Sequence, residues 1–318
     1  AQWEEQGHVD REVWRKAGVN GFLCMSMPEQ YGGSEADELF SIIQMEELAR
    51  SGFSGLGFGL HNEIVAPYIL RYGTDAQKAH YLPRMASGEM IGAIAMTEPS
   101  TGSDLQSIKT TALQQSDGSY LLNGSKTFIT NGWMSDVVIV VAKTNPELGG
   151  KGTSLFLLES GTRGYEKGKP LKKLGLKAQD TCELFFNNVI LPADSLLGGA
   201  AQENKGFICL MEQLPWERLQ IAIGGTAACE NAIEKTVAYV KERQVFGMSL
   251  ASYQNTRFKL AELQTQVQIA RVFVDKCIEL GLEEKLDTAT ASMAKLWVSE
   301  LQGKVMDECL QLHGGNGF

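Results

Sequence analysis

Met96-Thr-Glu-Pro-Ser-Thr-Gly-Ser-Asp-Leu105 is followed downstream by Lys126-Thr-Phe-Ile-Thr-Asn-Gly132. Both segments place small, hydroxyl-bearing and glycine residues at the end of a β-type run. Backbone N–H groups and Thr or Ser hydroxyls at such an end reach a flat, polar, phosphate-bearing ligand. Ser100, Thr101, Gly102 and Ser103 form a phosphate-compatible turn, because Gly lets the backbone approach and Ser supplies a donor. Taken singly, each segment reads equally well as a surface turn. The pair is what points to a ligand.

Outward from this pair, the chain changes period twice. Residues 1–92 read as helical. Asp37 to Arg50 carries Leu39, Ile42, Ile43 and Leu48 at helical spacing, with Ser34 as a candidate cap and Ser51-Gly52 as the stop. Thr74 caps a further helix. From 93 to 205 the period is two. Tyr120-Leu-Leu, Asn123-Gly124 and Lys126–Thr130 predict a hairpin with a tight Asn-Gly turn, and Val137–Lys143, Ser154–Leu158 and Glu183–Phe186 predict further strands of a small barrel or sandwich. From 206 to 318 the helical period returns. Ile233, Val237 and Val240 share one face. Leu260, Leu263, Val267, Ala270, Val274 and Cys277 alternate by three and four as a bundle seam, and Asp287 caps a last helix with Ala294, Trp297 and Leu301 on one face. The expected fold is α+β and multidomain: an N-terminal helical domain, a middle β domain and a C-terminal antiparallel four-helix bundle.

With 318 residues, 43% of them hydrophobic, the chain is long for a single core. A net charge of −9 argues against nucleic acid as a partner. No apolar run suffices for a membrane span. The six cysteines show no CxxC spacing and several fall in apolar helical patterns, so they read as reduced core residues of an intracellular protein. Four histidines, none paired at i, i+4, predict no metal site.

The two opening segments together resemble the acyl-CoA dehydrogenase family, most of all its long-chain members, and the resemblance runs through nearly the whole chain. Lys172-Lys-Leu-Gly-Leu-Lys-Ala-Gln-Asp-Thr181, Gln213-Leu-Pro-Trp-Glu-Arg218, Arg243-Gln-Val-Phe-Gly247, Gln254 and Gln311-Leu-His-Gly-Gly-Asn-Gly-Phe318 carry it too. Helices, then strands, then helices is also the family's domain order. Against that pattern, the chain is expected to be a fragment lacking part of the first helix and a C-terminal stretch.

The resemblance implies α,β-desaturation of an acyl-CoA thioester: a base takes the C2 proton while a hydride leaves C3 for N5 of FAD. Such chemistry requires one carboxylate aimed at C2, a flavin against C3, and donors on the thioester oxygen. Glu217 matches the base of the long-chain and isovaleryl-type members. It lies two residues after Pro215 in an otherwise helical stretch, where a proline removes a backbone hydrogen bond and bends the helix. Burial beside an acyl chain is expected to raise its pKa. An exposed Glu paired with Arg218 is the plainer reading of the same residues.

For FAD, the resemblance implies Thr97 at the pyrimidine edge, Thr130 near N5, Phe128 packed on the ring, and the neighbouring Ala95, Met96, Glu98, Pro99, Gly102, Ser103 and Ile129. Arg243, Phe246, Gln254 and Gln311, Leu312, His313, Gly314 and Gly315 match positions that grip the adenine half of FAD from a neighbouring subunit. Gly314-Gly315 equally suits a helix C-cap. Ser103, Ile208, Pro215, Trp216, Glu217 and Arg218 are the expected substrate contacts. Lys172, Lys173 and Lys177 add local positive charge for CoA phosphates, or simply a solvated loop. The implied partners are an acyl-CoA, an electron-transferring flavoprotein and further copies of the chain in a tetramer built as a dimer of dimers. The implied compartment is the mitochondrial matrix or a bacterial cytoplasm. Branched-chain (isovaleryl-type) specificity, an oxidase passing electrons to oxygen, and a non-catalytic flavin-binding scaffold are the competing readings.

Overall fold

The computed structural model describes residues 2–53 and 55–317. In chain order the elements are helices α1 (Gln2–Gln6), α2 (Arg11–Val19), α3 (Glu38–Ser51) and α4 (Phe58–Leu60), a π-helical turn (His61–Val65), α5 (Ala66–Tyr72) and α6 (Asp75–Ala86). Strands β1 (Gly92–Ala95), β2 (Thr111–Gln114), β3 (Tyr120–Thr130), β4 (Val137–Lys143), β5 (Thr153–Glu159), β6 (Tyr165–Lys167) and β7 (Thr181–Leu191) follow. Then come α7 (Gly206–Glu242), a ribbon of β8 (Gln244–Val245) and β9 (Met248–Ser249), α8 (Gln254–Leu282) and α9 (Thr288–His313). They form two compact units: one of residues 1–37 and 54–213, the other of residues 38–53 and 214–318.

The first unit is built on a mixed sheet ordered β1-β4-β2-β3-β7-β6, with β5 added to β4. Strand β4 shows why it forms. Its odd residues Val137, Ile139 and Val141 pack with Val65, Ile69, Leu82 and Met85 of the helices. Its even residues Val138, Val140 and Ala142 pack with Ala93, Ala95, Phe156 and Leu184 inside the curl of the sheet. Alternation by two thus feeds two cores from one strand. Thr74 caps α6, as its sequence predicts, and the Gln77 side chain returns a bond to the Thr74 N–H to complete a capping box. All six cysteines are buried and free.

One strand prediction is corrected. Asn123-Gly124 is no hairpin turn. Residues 120–130 are a single strand, and its pairing with β7 slips between Leu122 and Gly124. Gly124, at φ +144°, accommodates a bulge against Thr110, whose Cα lies 2.8 Å from where a Cβ would stand. The hairpin joins β2 to β3 instead, around Asp117-Gly118.

The second unit is a four-helix cluster of α3, α7 from Leu214 onward, α8 and α9. Ion pairs Lys259–Glu308 and Lys304–Glu262 set α8 antiparallel to α9. The expected seam is present from Leu263 onward: Leu263, Val267, Ala270, Val274 and Cys277 are buried with Leu219, Ile223, Val298 and Val305, whereas Leu260, its expected first member, is only half-buried and outside this core. Each fully buried valine there contributes about 1.5–3 kcal/mol. Asp287 caps α9 through the Ala289 and Thr290 amides. Helix α3 brings Ile42 and Met45 to the same core, and Arg271 holds it to α7 by bonding both Glu46 and Glu230.

Two expectations about helix faces are corrected. Trp297 is 46% exposed, because α9 turns Ala294, Val298 and Leu301 inward at i, i+4, i+7, which leaves position 297 off the seam. On α3, Leu39 and Ile43 are exposed while Ser41 and Ile42 are buried, and the helix starts at Glu38, too far from Ser34 for that residue to cap it.

Candidate functional site

The fold of the first unit joins the two opening segments. Strand β1 delivers Met96 and Thr97 beside β3. The Thr127 N–H donates to the Thr97 carbonyl at 2.9 Å, and Lys126 Nζ donates to the Met96 carbonyl at 2.9 Å and to Glu98 Oε1 at 3.0 Å. Lys126 is 0% exposed and Glu98 nearly so, which makes this a buried ion pair. Glu98 also accepts from the Lys109 and Thr110 amides at 2.6 and 2.9 Å. Burial pushes the Glu98 carboxyl up, but Lys126 and these donors outweigh it and hold it below its ordinary value. Burial likewise pulls Lys126 down to about 8 against the attraction of Glu98. The Glu98 carboxylate is therefore engaged inward.

Phe128 sits where β3 slips against β7, between Lys126 and Ile129, with φ +59°. An aromatic residue in the left-handed region is strained, and here the residue is 67% exposed. The bulge leaves this apolar residue uncovered on the strand that also carries half-buried Thr130, with half-buried Thr97 on the segment bonded to Thr127. Ala95 and Ile129 are buried strand positions flanking it. Beyond Thr97, reciprocal backbone bonds between Glu98 and Thr101 close a turn that leaves Pro99, Ser100, Gly102 and Ser103 exposed. Apart from its two chain neighbours, no protein atom lies within 4 Å of where a Cβ on Gly102 would stand, so the approach to that backbone is open.

Supporting residues missed in the sequence lie behind this surface. Asn131, at φ +59°, donates to the carbonyls of Gly57 and Gly92 at 3.0 and 3.4 Å. His61 Nδ1 accepts from the Gly92 N–H at 3.0 Å while Nε2 faces the Met85 carbonyl at 3.1 Å. The only sequence signals are an Asn-Gly step and a histidine in an apolar run. Lys173 donates to the Gln179 carbonyl and to Thr181 Oγ1, so it serves its own loop, whereas Lys172 and Lys177 are exposed.

In the second unit, Trp216, Glu217 and Arg218 are half-buried on α7 just after Pro215, and Arg218 donates to Ser292 Oγ at 3.1 Å. Ile208, earlier on α7, is exposed and belongs to the first unit. A second group assembles at one end of the bundle. The Arg243 N–H donates to the Tyr239 carbonyl, and the Tyr239 ring stacks on His313 at 4.4 Å. Gly314, at φ +57°, ends α9 with its N–H on the Gln311 carbonyl, leaving Gln311, Gly314 and Gly315 exposed and Leu312 half-buried. The His313 ring is spent on Tyr239 and on the Cys309 carbonyl at 2.8 Å. Phe246 and Gly247, both at positive φ, form the two-residue turn between β8 and β9, and Phe246 is 98% exposed. Tyr253 Oη donates to the Val245 carbonyl at 2.9 Å, which sets exposed Gln254, the first residue of α8, against this turn. Phe318 of the same motif lies outside the described residues. Among the described residues no cluster of side chains has the makings of a metal site, and no helix is long and apolar enough to cross a membrane.

The sequence matches three profiles of one family, described as acyl-CoA dehydrogenase N-terminal, middle and C-terminal domains, over residues 1–89, 93–189 and 204–318. The chain belongs to the acyl-CoA dehydrogenase family. It is therefore an oxidoreductase of that fold, with helical N- and C-terminal domains and a half-barrel sheet in the middle domain of the sequence. The chain is 52% identical to the mitochondrial long-chain specific acyl-CoA dehydrogenase of Mus musculus over its full length and 73% of that protein. It is 36% identical to the mitochondrial isovaleryl-CoA dehydrogenase of Oryza sativa subsp. japonica over 97% of the chain and 75% of that protein. Among solved structures, the acyl-CoA dehydrogenase of Geobacillus kaustophilus superposes with a TM-score of 0.96 at 46% identity, covering 99% of this chain and 83% of that one. A glutaryl-CoA dehydrogenase of Mycobacterium smegmatis in complex with FADH2 superposes with a TM-score of 0.90 at 30% identity, covering 100% and 80%. The family is FAD-dependent. The residues present suit that cofactor: an uncovered aromatic ring beside two threonines, an open Gly-Ser turn, and an exposed arginine near a Gly-Gly terminus.

Proposed function

We propose that the chain desaturates long-chain fatty acyl-CoA in β-oxidation and passes its electrons to an electron-transferring flavoprotein. The observation that carries the chain-length reading is the contrast between 52% identity to a long-chain enzyme and 36% to an isovaleryl enzyme. When bound, FAD supplies the acceptor for the hydride lost from C3. Thr97 and Thr130 hold the ring edge, Phe128 covers its face, and the backbone at Gly102 and Ser103 takes phosphate oxygens. Glu217 removes the C2 proton. Pro215, two residues before it, takes one N–H out of the α7 ladder and so frees a carbonyl one turn earlier, which loosens the helix locally beside the base. Arg218 meets the CoA portion.

Arg243, Phe246, Gln254 and the Gln311–Gly315 segment grip the adenine half of a cofactor bound mainly by another copy of the chain. Strain supports this reading: a phenylalanine held at φ +50° and almost wholly uncovered gains nothing within its own chain. Off-seam residues Ile269, Val272, Met293, Leu296 and Trp297 give α8 and α9 an exposed apolar surface suited to a tetramer. Three domains with bounds at 92/93 and 205/206, and residence in a mitochondrial matrix or bacterial cytoplasm, complete the reading.

Anaerobic addition of palmitoyl-CoA to the full-length holoenzyme should bleach the flavin absorbance faster than isovaleryl-CoA does. Glu217→Gln should retain flavin and abolish the bleaching. A Glu217→Gln enzyme with full turnover rejects the base, and preference for the branched thioester rejects the substrate class.

A further inference from the structure

We propose that Lys126 is a positioning residue for the cofactor site: its buried ammonium holds the Met96–Glu98 backbone in the conformation that presents Thr97 to the flavin. This inference rests on the reading that the two joined segments hold FAD. Met96 and Glu98 flank Thr97, and both are tied to the one nitrogen, Met96 through its carbonyl at 2.9 Å and Glu98 through its carboxylate at 3.0 Å. The Thr97 carbonyl is tied to the amide of Thr127, the residue next to Lys126. Three consecutive residues of the first segment are thus held by two consecutive residues of the second. Turning either peptide plane around Thr97 breaks at least one of these bonds.

The Glu98 carboxylate also accepts from the Lys109 and Thr110 amides, so it closes the loop that carries Gly102 and Ser103 as well. Stability alone does not call for an ion pair here. Apolar residues of similar volume commonly replace a buried pair at no loss, whereas removing one partner leaves an uncompensated charge. What an apolar pair cannot supply is the donor on the Met96 carbonyl.

The test uses full-length holoenzyme carrying Lys126→Met, the double substitution Glu98→Gln with Lys126→Met, and Thr97→Ala. Thermal unfolding midpoint and FAD release on dilution, followed by flavin fluorescence, are the two readouts. Lys126→Met should lower the midpoint and weaken FAD. The double variant should recover the midpoint towards wild type while its FAD dissociation constant stays weaker by roughly tenfold or more. If Lys126→Met does not fold, the double variant carries the test by itself. Recovery of both readouts, or of neither, reduces Lys126 to a structural ion pair and overturns the proposal. Wild-type FAD retention in Thr97→Ala overturns the cofactor reading instead.

Discussion

His61 should make this protein sensitive to mild acid. Its ring is wholly buried, with Trp14 edge-on at 5.3 Å, and both nitrogens are committed. Nδ1 accepts from the Gly92 N–H, so the proton must sit on Nε2, where it is donated to the Met85 carbonyl. A second proton would set two N–H groups against each other. Burial lowers the pKa from 6.5 to about 4, with the Met85 carbonyl and Asp136 opposing it only in part. The folded state therefore binds fewer protons than the unfolded state between those values. The stability involved is complete above the unfolded pKa and is lost as pH falls towards the folded one. At about 1.4 kcal/mol per unit, the loss reaches about 2 kcal/mol by about pH 5 and about 3 kcal/mol by about pH 4. Denaturant unfolding of wild type and His61→Gln at about pH 7.5 and about pH 5 measures it, since carboxylates common to both proteins cancel in the comparison. Wild type should lose about 2 kcal/mol more than the variant over that interval. Equal losses would refute a neutral, buried imidazole. Because Gly92 opens β1, which leads into Thr97, flavin should be released over the same pH range.

Phe246→Asn places a residue tolerant of positive φ before Gly247, so it should stabilise the β8–β9 turn by about 1 kcal/mol while weakening FAD retention; calorimetry and flavin fluorescence check the two effects, and a fall in stability would contradict the strain at this position. Gly57→Ala would put a Cβ 1.9 Å from Asn131 Oδ1, a side chain already fixed on the Gly57 carbonyl. It should cost about 1–3 kcal/mol, and an unchanged melting temperature would show that Asn131 is not held there.

Local signals carried far in this chain. Thr74 with Gln77, and Asp287 with the amides after it, cap the helices their sequences announce, because a cap depends on residues one turn away. The α8 seam from Leu263 to Cys277 reads correctly because a run of threes and fours leaves one helix face to bury. Asn123-Gly124 misled because the dipeptide suits a turn and a bulge alike, and only its pairing with β7 decides between them. Trp297 misled because a spacing of three fits either side of a seam until the neighbouring helices choose one.

Within the site, the sequence by itself determined the chemistry on offer: threonines, an aromatic ring, a Gly-Ser turn, and a glutamate after a proline. Tertiary structure alone decided that Lys126 lies inside rather than in solvent, that Glu98 turns away from the ligand surface, and that Phe128 stands uncovered. Each of these depends on a partner distant in the chain (Met96 and Glu98 for Lys126, β7 for the bulge at Phe128). Propensity is set by near neighbours, whereas burial, charge pairing and backbone strain are set by whatever the fold brings against a residue.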